Sequence, residues 1–337
     1  MRLLSCRLPS LLLAAVLAVA GCDAGGEPAP GNDSPRVRIA FVPKVAEIPY
    51  FKAMDVGGRQ AAETLGAEWI YRGPSTVDPP AQVQVVRSLI QERVDVIVVA
   101  PNDPAAIDTV LAEASGQGIK VLTTDTDAPN SVRELFVNQA SPEGVGHTLT
   151  DALMNKTGGT GKYAIVSCGP TAANLNAWIA VQRAYTARTY PNAQIVDVSY
   201  VGEDQRAATA KAKELMAAHP DLTGLVGECT TSAPGVAQAV RDTGNIGKVF
   251  TVGVGTPQTM KPYLRDGSAA AAVLWDVENL GYLTAWAANE VAEGRPLEPM
   301  NRVSAELPAV RYTAINRTLL LGEPLLITND NVDQFPY

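Results

Sequence analysis

DVIVVAPND, residues 95–103, decides the fold. Six residues from Asp95 to Ala100 are apolar at nearly every position, whereas a strand with one wet face would alternate. Such a run suits a parallel sheet covered by helices on both sides. Pro101-Asn102-Asp103 stops it, and a helical pattern over 105–115 follows. Working outward, strand and helix patterns alternate at intervals of roughly 25 residues, the signature of βαβ units. Upstream lie a strand at 38–42, a helix at 51–65, a strand at 67–71 and a helix at 80–91. Downstream, strands at 120–124 and 135–137 complete one lobe. The pattern then repeats, with helices at 142–154, 178–189, 207–218 and 234–243 between strands at 163–167, 194–198, 222–226, 249–252 and 271–274. The expected fold class is α/β, with two doubly wound parallel-sheet lobes facing each other across a cleft.

The 337 residues suffice for two such lobes. With 46% hydrophobic and 18% charged residues, the chain can bury enough apolar surface to offset its ordering entropy. Twenty-seven basic against 35 acidic side chains give a net charge of -8 and argue against nucleic acid as a partner. The first 22 residues read as an export signal: Arg2 and Arg7, then a short apolar run at 11–20, then Val19-Ala20-Gly21-Cys22. That run is about half the ~20 residues a spanning helix needs. Small residues directly before Cys22 resemble the lipobox of bacterial lipoproteins, so Cys22 is the expected lipidation site, facing outward from the cytoplasmic membrane. Residues 23–35 are rich in Gly, Pro and acidic residues and read as a flexible tether.

In an open parallel sheet, ligands sit beyond the carboxyl ends of the strands. Those ends carry Lys44, Asp125 and Asp127, then Asn138 and Gln139, all from the first lobe. The second lobe offers Asn174, Glu228, Thr230, Trp275 and Asp276. Phe51, near the start of the first helix, is a candidate aromatic cover, with core packing against Phe41 as the alternative. Amides and carboxylates that exchange hydrogen bonds with hydroxyls, beside aromatic faces that cover C–H surface, suit a neutral polyol. A buried carboxylate in that setting needs a cation, and Lys44 is the expected partner of Asp125 or Asp127. Asp125 and Asp127 could equally cap a turn, Asn138 and Gln139 could serve the hinge, and Trp275 could be core.

Catalytic signatures are weak by comparison. His147 and His219 lie near no motif, and no Gly-x-Ser-x-Gly elbow or zinc spacing is present. Gly158-Gly159-Thr160-Gly161-Lys162 falls between a helix and a strand, the reverse of a phosphate loop, and reads as a turn. No catalytic residue, cofactor or metal is expected. Cys168 and Cys229 end neighbouring strands if the sheet order is 2-1-3-4-5, which leaves both a disulfide and two buried thiols open.

Several segments also resemble a known family. Phe41-Val42-Pro43-Lys44, Val121 to Asp127 (VLTTDTD), Val137-Asn138-Gln139, Gly253 to Tyr263 (GVGTPQTMKPY) and Leu274-Trp275-Asp276 resemble the type I periplasmic sugar-binding proteins of ATP-driven importers. The branch with rhamnose-binding proteins and autoinducer-2 receptors is the most similar. The resemblance spans residues 36–337 and implies three hinge crossings, dividing the chain into 36–139 plus 277–305 and 140–276 plus 306–337. It implies that Lys44 and one of Asp125 and Asp127 contact ligand hydroxyls. In the second lobe, Asn174-Leu175 stands where the autoinducer receptors carry Asp-Gln, and Glu228 and Thr230 where they carry Pro and Ala. A methylpentose such as rhamnose is therefore the expected ligand. Autoinducer-2 is the alternative, as is a sensor feeding a membrane kinase or chemoreceptor. The implied partners are a permease and its ATPase, with the receptor itself a monomer.

Overall fold

A computed structural model describes residues 36–335. The signal, the Cys22 anchor and the tether expected before Arg36 lie outside the described residues. The stretch at 95–103 forms β3 (Val96–Val99), buried at every position. It lies between β1 (Arg38–Val42) and β4 (Lys120–Thr124), with Val98 opposite both Phe41 and Leu122. Successive side chains go to opposite faces, as the pleat requires. Ile39, Phe41, Val96 and Val98 enter one core, while Ala40, Val42, Ile97 and Val99 enter another beneath α2 (Pro79–Gln91) and α3 (Pro104–Gly116).

The first sheet runs β2 (Glu68–Tyr71), β1, β3, β4, β5 (Leu135–Asn138) and continues into β13 (Thr318–Leu320), β12 (Val310–Thr313) and β11 (Met300–Asn301). The second runs β7 (Asn192–Tyr200), β6 (Thr160–Ser167), β8 (Leu222–Gly227), β9 (Phe250–Val254), β10 (Ala271–Leu274), β14 (Leu325–Ile327). Both have the doubly wound 2-1-3-4-5 order. The chain crosses between sheets after β5, after β10 and between β13 and β14.

One expected boundary is corrected. The resemblance implies that residues 306–320 belong to the second lobe, but β13 pairs parallel with β5, with Leu319 opposite Val137. The third crossing therefore falls at residues 321–324. Leu319, Leu320 and Leu321 would suit an edge of either sheet, so only pairing chooses between them.

Helix starts follow from local chemistry. Asp78, Asp103 and Ser141 accept hydrogen bonds from the first turns of α2, α3 and α4 (Pro142–Thr157), and each is followed by Pro at the first helical position. In the first lobe, α1 (Pro49–Leu65) packs closely on α9 (Val277–Ala292). Gly57 and Gly281 permit this: a Cβ on either would lie 1.8 and 2.0 Å from the facing backbone oxygen of Glu278 and Met54, respectively. Cys168 and Cys229, at the ends of β6 and β8, form a disulfide with Cα atoms 6.2 Å apart, which resolves the open alternative. No helix among the described residues is long and apolar enough to cross a membrane.

Candidate functional site

The carboxyl ends of both sheets meet at a small hollow with a volume of about 30 Å³. Its polar wall comprises Lys44, Tyr50, Asp125, Asn174, Glu203 and Thr230; Ile48, Phe51, Leu175, Trp178, Cys229, Val254 and Trp275 supply the apolar wall. The lining, polar on one wall and largely apolar and aromatic on the other, is that of a small-molecule site.

Lys44 follows β1 and is 6% exposed; Asp125 follows β4 and is 3% exposed. Lys44 Nζ donates to Asp125 Oδ2 at 2.8 Å and to Asn174 Oδ1 at 3.1 Å. Breaking that buried pair by removing one partner would strand a charge in low dielectric. Asp125 holds a left-handed backbone, φ 61°, a conformation Asp tolerates better than most residues. The Tyr50 hydroxyl donates to Asp125 Oδ1 at 2.9 Å and receives the Trp275 indole N–H at 3.1 Å. Burial, then the Asp125 charge, raises the Tyr50 phenol well above its ordinary pKa, so it remains a donor.

Asn174, near the start of α5 (Ala173–Thr189), brings a second-lobe group onto this first-lobe pair. A further hydrogen bond between lobes runs from the Thr171 hydroxyl to the Asn102 carbonyl at 3.0 Å. Trp275 lies edge-on to Tyr50 and Trp178, with centroids 5.9 and 5.6 Å away. Phe51 lines the hollow and packs 6.2 Å from Phe41.

Of the predicted residues, Lys44, Phe51, Asp125, Asn174, Thr230 and Trp275 line the hollow, and five do not. Asp127 is held by Arg133 at 2.7 Å and by the Thr123 hydroxyl at 2.7 Å, so Lys44 serves Asp125 alone. Asn138 ends β5 at the start of the first crossing, where its carbonyl receives the Leu321 N–H at 2.8 Å. Gln139 is buried beside it at 1% exposure. Asp276 caps α9, accepting from the backbone and side chain of Asn279 at 2.9 and 2.8 Å. Glu228 points into the second lobe, where Gln182 donates to both of its oxygens at 2.8 and 2.9 Å. Its complete burial raises its pKa to about 8.

Tyr50, Trp178 and Glu203 are the informative residues that sequence reasoning missed. Glu203 follows β7, and extending the strand-end rule to that edge strand would have found it. The Thr231 hydroxyl donates to Glu203 Oε2 at 2.8 Å and lies 3.4 and 3.3 Å from the sulfurs of Cys168 and Cys229. Burial raises the Glu203 carboxyl above its ordinary pKa, aided by the Asp125 charge and opposed by Thr231 and Lys44.

Residues 39–296 match a family profile described as a periplasmic binding protein domain. A D-ribose/D-allose-binding protein of Pseudomonas aeruginosa is 29% identical over 246 residues, covering 69% of this chain and 75% of that protein. A solute-binding protein from Clostridium phytofermentas with bound L-rhamnose is 26% identical, with a TM-score of 0.83 over 89% of this chain and 98% of that one. LsrB from Clostridium saccharobutylicum in complex with AI-2 shares the fold at a TM-score of 0.84 and 24% identity, covering 89% of this chain and 100% of that one.

Proposed function

The chain belongs to the periplasmic binding protein domain family, and from that premise we propose that it is the sugar receptor of an ATP-driven importer. The hollow between the lobes carries the proposal, because it joins a hydrogen-bonding wall to an aromatic one at the strand ends of both sheets. The named relatives are binding proteins, and this chain shares that role rather than an enzymatic one. A methylpentose is the preferred guest. Lys44 and Asp125 face its hydroxyls, while Trp178, Trp275 and Phe51 cover its C–H surface and methyl group. The rhamnose complex of the Clostridium phytofermentas protein supports this choice; autoinducer-2 stands second. The leader ending at Cys22 supports export and lipid anchoring, with the receptor acting as a monomer beside a permease and ATPase.

A thermal-shift series with L-rhamnose, D-ribose, D-allose, D-arabinose and autoinducer-2 tests the reading. Guest at 100 times its Kd adds about 2.7 kcal/mol of stability. L-rhamnose is expected to give the largest rise in Tm, and Lys44→Ala to abolish it. Asp276→Ala should destabilise the fold by about 1 kcal/mol through the lost helix cap, and so lower Tm, yet retain the sugar-induced rise. A larger rise with another sugar would displace rhamnose; no rise with any compound would remove the receptor reading.

A further inference from the structure

Asp125 is the better satisfied of the two carboxylates in the hollow. Lys44, Tyr50 and Thr126 all donate to it, at 2.8, 2.9 and 3.2 Å. Glu203 differs. Its Oε2 accepts from Thr231, while no side-chain donor reaches Oε1 among the described residues. Lys44, the cation of the hollow, is already engaged by Asp125 and Asn174. That leaves Oε1 of a half-buried carboxyl group at the wall of the hollow free to accept from a guest in place of solvent. Glu203 also borders an outer groove with Gln205 and Arg206, so it can exchange protons with solvent.

Its support is rigid. The loop carrying Glu203 leaves β7 through Gly202 at φ 75° and enters α6 (Gln205–Ala218) through the Asp204 cap. Thr231, which holds Oε2, sits beside the disulfide joining the ends of β6 and β8. The carboxylate is thus held in place before any guest arrives, which reduces the ordering cost of binding.

Resting on the sugar-receptor reading, we infer that Glu203 is a specificity-determining residue that accepts a hydrogen bond from a guest hydroxyl, selecting sugars able to donate at that position. The guest favours the ionised carboxylate, so binding releases a proton from any protonated fraction and affinity rises with pH. Lys44 and Asp125 face Glu203 from the first lobe, Asp204 and Arg206 flank it on its own loop and helix, and Glu228, just past β8, points inward to Gln182. The disulfide carries no titrating proton. Glu203→Gln leaves all of these in place and can still accept from Thr231.

The experiment is calorimetric titration of the full chain and of Glu203→Gln between pH 5 and 8, using whichever of L-rhamnose, D-ribose, D-allose and D-arabinose most raises the wild-type Tm. At pH 7 the variant should bind roughly ten- to a hundredfold more weakly, the range for a hydrogen bond to a charged group. Wild-type affinity should rise with pH more steeply than that of the variant. Equal affinities with coincident pH profiles would overturn the inference while leaving the receptor reading intact; a wild-type chain that no sugar stabilises would overturn both. Should Glu203→Gln not fold, Glu203→Asp must show a comparable loss, and full affinity in that variant would overturn the inference.

Discussion

Carboxylates in this chain show how residue type and residue role separate. Asp125, Asp127, Glu228 and Asp276 are all acidic strand-end residues, and their neighbours give them four different tasks: an ion pair with Lys44, a clamp on Arg133, a buried pair with Gln182 and a helix cap. Glu228 yields a pH prediction. In the folded state its pKa is raised to about 8 by burial without a cation, whereas an unfolded Glu titrates near 4.3. Between these values the folded state holds a proton that the unfolded state has released, so this residue makes stability fall as pH rises through that window. Below the unfolded pKa both states are protonated and the effect vanishes. Urea unfolding at pH 5 and pH 8 should show wild type losing stability, by a few kcal/mol at most, and Glu228→Gln losing less. Equal slopes in the two proteins would mean that Glu228 is ionised in the folded state.

At the scale of elements, α1 and α9 are the pair whose contact has least slack. Gly57 faces the backbone of α9 and Gly281 that of α1, so neither can give way by rotating a side chain. Gly281→Ala should cost at least the roughly 1–3 kcal/mol of an overpacked core, despite the better helix propensity of alanine. Denaturant midpoints would show this, and a stabilised variant would disprove the close approach. The same pair anchors the site: α1 begins with Pro49-Tyr50-Phe51, and α9 begins just past Trp275. Loss of this packing would therefore loosen the hollow as well as the first lobe.

At the scale of the molecule, two lobes connected by three short crossings suit hinge closure, and Lys44–Asn174 and Thr171–Asn102 are among the bonds an opening must break. Two of the four tryptophans, Trp178 and Trp275, line the hollow. Saturating L-rhamnose is expected to change intrinsic fluorescence, and Trp275→Phe to remove a large part of that change. An unaltered signal in Trp275→Phe would place the reporter elsewhere.

The sequence by itself determined the two doubly wound sheets, the strand ends that line the hollow and the pairing of Lys44 with one of two nearby aspartates. These properties are local or periodic: a run such as DVIVVA is buried on both faces wherever it folds, and a helix cap needs only its own first turn. Tertiary structure alone decided that Asp125 takes Lys44 while Asp127 takes Arg133, that Asp276 turns to its own helix, and that residues 310–320 join the first sheet. Each of those outcomes is a choice between partners of equal chemistry. Distance in the folded chain makes that choice, because an ion pair or a strand pairing is worth something only when its partner is within about 4 Å or in register.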